Sequence, residues 1–187
     1  MKAQDLQLVW ADEFEGSSLD PSTWQYESGP SNDNVQYYTN RTENANLVDG
    51  KLRIVALKES YQGYEYTSAH IRTEKARSWR YGRIEASIKL PGTPGFVPAF
   101  WMLPLDTQYG WWPYSGELDI MEHPTNEVTR IYGTVHTGIY NLFEGPFPPR
   151  GSSTDVPDAE SAFHLYAMEW TPESIDFFVD DQLYYSF

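Results

Sequence analysis

The stretch Arg83-Ile84-Glu85-Ala86-Ser87-Ile88-Lys89-Leu90 places an apolar side chain at every even position and a polar one at every odd position. A period of two is that of a β-strand with one face in a core and the other in water. Working outward, Lys51-Leu52-Arg53-Ile54-Val55-Ala56-Leu57 alternates nearly as cleanly. The same reading extends to residues 6–10, 68–73, 98–102, 116–122, 130–136, 164–170 and 174–179. Turn signals such as Asp49-Gly50 and Pro91-Gly92 separate them. Asp158 to Thr171 has no Gly or Pro, but its second half alternates, so it reads as loop followed by strand. The Gly/Pro/Ser-biased run from Glu144 to Ser153 reads as a surface loop. Ile175 to Phe187 reads as a hairpin about Asp180-Asp181. Many short strands and no convincing helix predict two packed antiparallel sheets, an all-β sandwich of jelly-roll type.

At 187 residues, the chain is expected to form a single domain over residues 1–187. Its net charge of −14 repels a phosphate backbone or an anionic membrane surface, so neither nucleic acid nor membrane is an expected partner. Aromatic residues make up 16% of the chain, unlike the acidic tails that stay disordered. The absence of cysteine rules out a disulfide framework, a thiolate metal site and a cysteine nucleophile. The most apolar stretch, Phe96 to Leu105, is about half a membrane span and contains two prolines. Met1-Lys2-Ala3-Gln4-Asp5 lacks the apolar run of a signal peptide, so export would imply that the sequence begins after a cleavage point. The chain stops on an aromatic run with no polar tail, as if cut mid-domain.

The segment with the most chemistry is Trp111-Trp112-Pro113-Tyr114-Ser115-Gly116-Glu117-Leu118-Asp119-Ile120-Met121-Glu122-His123-Pro124. On a regular strand Glu117 and Asp119 share one face while Leu118 and Ile120 share the other, and Glu122 falls out of phase. A β-bulge near Ile120-Met121 restores it. A helix would scatter the acids, placing positions 119 and 122 about 200° and 140° from 117. With the bulge, the Cα atoms of Glu117 and Glu122 lie roughly 13 Å apart, and inward-leaning side chains would bring the carboxyls to about 5–6 Å. Retaining glycosidases require about 5–5.5 Å, with one carboxylate attacking the anomeric carbon and the other protonating the leaving oxygen. A third carboxylate, Asp119, opposes ionisation of its neighbours, which lets one glutamate stay protonated while another remains the nucleophile. Spacing alone also fits a solvated acidic strand face or a Ca²⁺ or Mg²⁺ site, although His123 completes no recognised ligand spacing.

Sugar sites need flat aromatic platforms beside hydrogen-bonding groups. Trp101, Trp111 and Trp112 lie close in sequence to the acids, and a Trp directly before Pro113 at the strand entrance is placed for a cleft rim. His136 ends a strand expected to pair with the acid strand. On its own a lone histidine reads slightly more readily as structural than as catalytic.

Gly116-Glu117-Leu118-Asp119-Ile120-Met121-Glu122 resembles the bulged E-x-D-x-x-E signature of glycoside hydrolase family 16, in the form typical of laminarinase-like endo-β-1,3-glucanases. Supporting matches run in order along the chain: Val9 to Phe14, Gln36 to Thr39, Tyr81 to Ala86, Pro98 to Leu103, Tyr132 to His136 and Met168 to Pro172. The resemblance implies a concanavalin A-like jelly roll with an open glucan cleft, and retaining endo-hydrolysis of a β-glucan without a catalytic cofactor. It implies Glu117 as nucleophile, Glu122 as acid/base and Asp119 as their assisting carboxylate. It further implies Trp101 and Trp112 at the cleavage subsite, Asn32 as a sugar-binding residue and His136 near the acid/base. The backbone carbonyls of Glu13 and Gly50 match part of a structural Ca²⁺ site whose remaining aspartate would come from beyond Phe187. His70 and Ser87 stand where many relatives have arginine, which points to His70 in recognition on the non-reducing side. The family continues with further strands absent here, so the fold is expected to lack its C-terminal strands and to accept a second chain or fragment. Secretion to an extracellular or periplasmic space is implied too. Hydrolysis of β-1,3-1,4-glucan and a non-catalytic glucan-binding module of the same fold are the alternatives.

Overall fold

Every regular element among the described residues is a strand, in a computed structural model that describes residues 6–30, 35–73, 77–143 and 145–187. The chain divides into two compact units, residues 1–78 and 79–187, taken here in turn.

The first unit carries β1 (Gln25–Tyr26), β2 (Gly29–Pro30), β3 (Gln36–Tyr38), β4 (Ala45–Leu47), β5 (Leu52–Ile54), β6 (Leu57–Tyr61), β7 (Tyr64–Ser68) and β8 (Ile71–Arg72). They pair as β1-β8, β4-β5 and a four-stranded sheet ordered β2-β3-β7-β6, in which β3 and β7 run parallel. Its interior holds a polar knot. Asn44, fully buried, donates to Thr67 Oγ1 at 3.0 Å and to the Val55 carbonyl at 3.0 Å, while Arg41 donates to Asn44 Oδ1 at 2.9 Å. Arg41 also pairs with Glu59, so the buried polar groups and the charges are matched. Residues 6–10, expected as a strand, form none; Leu6, Leu8 and Val9 are exposed. Their alternation finds no neighbouring ladder, and periodicity without a partner does not make a strand. The strand expected over 51–57 breaks at Val55-Ala56 into β5 and β6.

The second unit is the sandwich. It comprises β9 (Gly82–Ile88), β10 (Ala99–Met102), β11 (Glu117–Glu122), β12 (Arg130–His136), β13 (Arg150–Asp155), β14 (His164–Trp170), β15 (Ile175–Val179) and β16 (Gln182–Ser186). One four-stranded sheet runs β10-β11-β12-β13 and the other β16-β15-β14-β9, all neighbours antiparallel. The two bury their facing sides as a pair of apolar clusters. Leu90, Met121, Ile131, Val156, Ala159, Tyr166 and Val179 form one, and Ile120, Val135, Met168, Ile175 and Phe177 the other. Burying side chains of this size contributes about 1.5–3 kcal/mol each before chain entropy is subtracted.

The two sheets approach closely at Gly133. A Cβ there would lie 2.5 Å from Tyr184 Oη and 2.7 Å from Phe177 Cδ1, so only glycine lets β12 approach β15 and β16. The expected Asp180-Asp181 hairpin is present, with both residues at positive φ, 47° and 61°, as a tight two-residue turn requires. Arg150 to Ser153, read as loop, belong to β13. This edge strand is held through its backbone ladder to β12, and Gly151-Ser152-Ser153-Thr154 carry no apolar alternation to announce it.

Candidate active site

Strand β11 lies between β10 and β12, and its register shows how the acids reach one face. Glu117 stands opposite His136, Asp119 opposite Thr134, and Glu122 opposite Tyr132, so three steps on β11 match two on β12. The ladder to β10 shifts at the same place, with Met121 opposite Phe100 and Asp119 opposite Trp101. Ile120 is therefore the extra residue of a β-bulge, as the sequence spacing predicts. The bulge lets Ile120 and Met121, each 1% exposed, both turn into the core, one into each apolar cluster. Glu122 consequently returns to the open face with Glu117 and Asp119. The neighbouring strands alternate to match. Phe100 and Met102 of β10 pack inward and Trp101 lies between them on the other face, while Ile131 and Val135 are buried beside outward Tyr132, Thr134 and His136.

Gly116 launches the strand at φ +92°, a backbone angle that other residues adopt only under strain. A Cβ would meet nothing closer than the His136 carbonyl at 3.6 Å, so the angle and not the space selects glycine.

The polar groups on this face bond one another. His136 Nε2 lies 2.9 Å from Asp119 Oδ2. Trp112 Nε1–H donates to Glu117 Oε2, and Thr134 Oγ1–H donates to Glu122 Oε2 at 3.3 Å. Ligand atoms of Glu117, Asp119 and His136 all lie within 4.8 Å of one another. Two carboxylates and an imidazole can take a divalent cation. Each of the three is already hydrogen-bonded here, and the same set has the donors and acceptors to pass a proton.

Burial, then the charge of Asp119, pushes the Glu117 carboxyl up to about 7, against the opposing pull of the Trp112 hydrogen bond and of His136. The same two causes raise Glu122, opposed by Thr134 and His136. The spacing assigned the protonated state to carboxylate repulsion. Burial turns out to be the larger cause for both glutamates, and Glu117 shares in the rise. His136 is pulled down by burial, but its bond to Asp119 and the charges of Asp119, Glu117 and Glu122 outweigh this and raise it.

Trp112 forms the rim, 41% exposed, with its ring centroid 5.9 Å from His136 and 5.2 Å from Phe143. Thr134 and Phe143 were not singled out by sequence. Thr134 had a signal, since it lies two residues before His136 on the same strand face. Phe143 had none, because it sits in a loop. His123, beside Glu122, is structural: it is fully buried, with Nδ1 2.8 Å from the Arg130 carbonyl oxygen.

The remaining expected positions belong to the first unit. His70 lies with Nδ1 3.3 Å from Glu27 Oε2 and its ring edge-on to Tyr38, and burial lowers its pKa against the pull of Glu27. Asn32 lies outside the described residues. Glu13 and Gly50 are exposed, and neither belongs to the grouping of Glu117, Asp119 and His136. Two carbonyls fall short of the six to eight oxygens of a Ca²⁺ shell, so these positions alone do not make that site.

A beta-glucanase of Rhodothermus marinus is 49% identical across all of the chain, which spans 67% of that protein. A glucan endo-1,3-beta-glucosidase A1 of Niallia circulans is 35% identical over 96% of the chain, which spans 29% of it. Among solved structures, the laminarinase from Rhodothermus marinus superposes with a TM-score of 0.92 at 49% identity, covering 97% of this chain and 74% of that one. The sequence profile described as Glycosyl hydrolases family 16 matches residues 25–187, carrying with it the bulged strand and its three acids, and the chain belongs to that family.

Proposed function

We propose that the chain cleaves internal β-1,3 bonds of laminarin-type glucan with retention at the anomeric carbon. The observation that carries this reading is the β11 bulge, which returns Glu122 to the face of Glu117 and Asp119. Glu117 is the nucleophile. The Trp112 N–H holds one of its oxygens and so fixes the carboxyl that is to attack the anomeric carbon. Glu122, raised by burial and by Asp119, donates its proton to the leaving oxygen as the glycosyl–Glu117 ester forms. It then takes a proton from the water that cleaves the ester, returning both carboxyls to their starting states. Asp119, held by His136, keeps negative charge between them and so favours the protonated acid. No cofactor enters either step.

Trp101 and Trp112 are read as platforms for the sugar at the cleavage point, with His136 beside them; Asn32 and His70 are read as contacts for more distant sugars. Residues 1–187 are read as one catalytic domain acting outside the cytoplasm, where a polymer too large to cross a membrane is met. A Ca²⁺ ion held partly by the Glu13 and Gly50 carbonyls would be a structural addition and would not take part in the chemistry.

The test is release of reducing ends from laminarin and from mixed-linkage glucan by the native chain and by Glu117→Gln. Turnover lost by at least roughly 10⁴-fold in the variant, with glucan binding retained, is expected. Equal turnover in the two proteins would remove Glu117 from the chemistry, and faster release from mixed-linkage glucan would reassign the substrate.

A further inference from the structure

We propose that Phe143 is a substrate-binding residue, the aromatic platform for the glucose ring next to the one attacked by Glu117. The inference rests on the glucanase reading above. It starts from the loop between β12 and β13, which a single side chain ties together. Asn141, 3% exposed, accepts the Phe143 and Gly145 N–H groups on Oδ1 at 2.9 and 3.0 Å. Its amide donates to the carbonyls of Thr137 and Gly138 at 3.1 and 3.3 Å. A side chain that satisfies four backbone groups fixes the loop's shape, and with it the place where Phe143 emerges.

Phe143 emerges against Trp112. The two ring centroids lie 5.2 Å apart with planes at 80°, an edge-to-face contact, yet Phe143 remains 74% exposed. The tie at Asn141 therefore leaves a large apolar ring mostly in water, on the indole whose N–H bonds Glu117. The ring contributes little to the core, and the contact with Trp112 leaves most of it uncovered. Two perpendicular rings make a corner with two apolar walls. A pyranose has apolar C–H faces and hydroxyl edges, and it sits on such walls through its faces while its edges stay hydrated. Successive glucose rings of a β-1,3-linked chain are turned relative to each other, so one ring against Trp112 and the next against Phe143 matches a corner better than a flat shelf would.

The experiment measures binding separately from turnover. In the Glu117→Gln background, β-1,3-gluco-oligosaccharides of two to six units are titrated calorimetrically into the parent and into Phe143→Ala, Phe143→Leu and Phe143→Tyr. Loss of a stacking face is expected to weaken hexasaccharide binding about tenfold in the Ala and Leu variants, with Tyr close to the parent. With Glu117 restored, Phe143→Leu is expected to raise KM for laminarin by a similar factor while kcat stays within about twofold. A purely structural role for Phe143 would lower the thermal midpoint without this split. Phe143→Leu keeps an apolar group on Trp112, so it reads the aromatic face even where Phe143→Ala loosens the loop. Hexasaccharide affinity in Phe143→Leu equal to that of the parent overturns the proposal and leaves the glucanase reading standing. A parent that binds no oligosaccharide of any length overturns both.

Discussion

In the proposed mechanism Glu117 and Glu122 need opposite protonation states in the first step, and their surroundings set the pH at which both are met. Glu117 must be ionised to attack, and its pKa of about 7 means that acidification through neutrality removes the nucleophile. Glu122 must carry its proton, and raising the pH past its elevated pKa removes the acid. Activity is therefore expected to fall on both sides of an optimum, and the limbs belong to the coupled carboxyl group as a whole. Asp119 repels charge on both glutamates, so Asp119→Asn is expected to move both limbs of kcat/KM to lower pH, by roughly one unit, while also lowering the maximum. Limbs that hold their positions in Asp119→Asn would show that burial alone sets them.

At the scale of the element, strand β11 does two jobs with one irregularity. The extra residue turns Glu122 toward the substrate and allows Ile120 and Met121 to enter both halves of the core. Deleting Ile120 restores strict alternation and keeps Glu122 on the face of Glu117 and Asp119, but it removes a buried side chain from the core. A lower urea midpoint with turnover retained is expected from that deletion. A folded deletion variant without turnover would mean that the acids need the bulge itself and not only a shared face. The bulge was legible in the sequence because three acids at spacings of two and three make sense on a strand only if one residue is extra. The strands of alternating residues such as Arg83 to Leu90 were legible for a similar reason, since burial on one face imposes period two. Strand β13 was not, because Gly151-Ser152-Ser153-Thr154 pair through the backbone and leave no apolar signature. The role of Phe143 was hidden because it depends on where a loop places a ring, which no local pattern encodes. The share of burial in raising both glutamates was hidden for a related reason: spacing reveals neighbouring charges but not the depth of burial.

At the scale of the molecule, the sandwich of the second unit depends on how closely its sheets approach at Gly133. Adding even one methyl there forces Phe177 and Tyr184 aside. Gly133→Ala is expected to lower stability by about 1–3 kcal/mol, read as a lower urea midpoint with an unchanged slope. A midpoint equal to that of the native chain would mean that the facing rings relax without cost. The same β12 strand exposes Tyr132, Thr134 and His136 toward the site and commits Ile131, Gly133 and Val135 to the interior. This separation has a consequence for how such a site diversifies. A mutation at an even position of β12 acts on the site, where Thr134 and His136 hold Glu122 and Asp119, and is not filtered by packing, while one at an odd position is felt in the core. Strand β11 has no such freedom across its bulge, where chemistry and core occupy consecutive residues. Room to change specificity thus lies in the loop that follows β12, and the three acids are constrained by the fold as well as by the reaction.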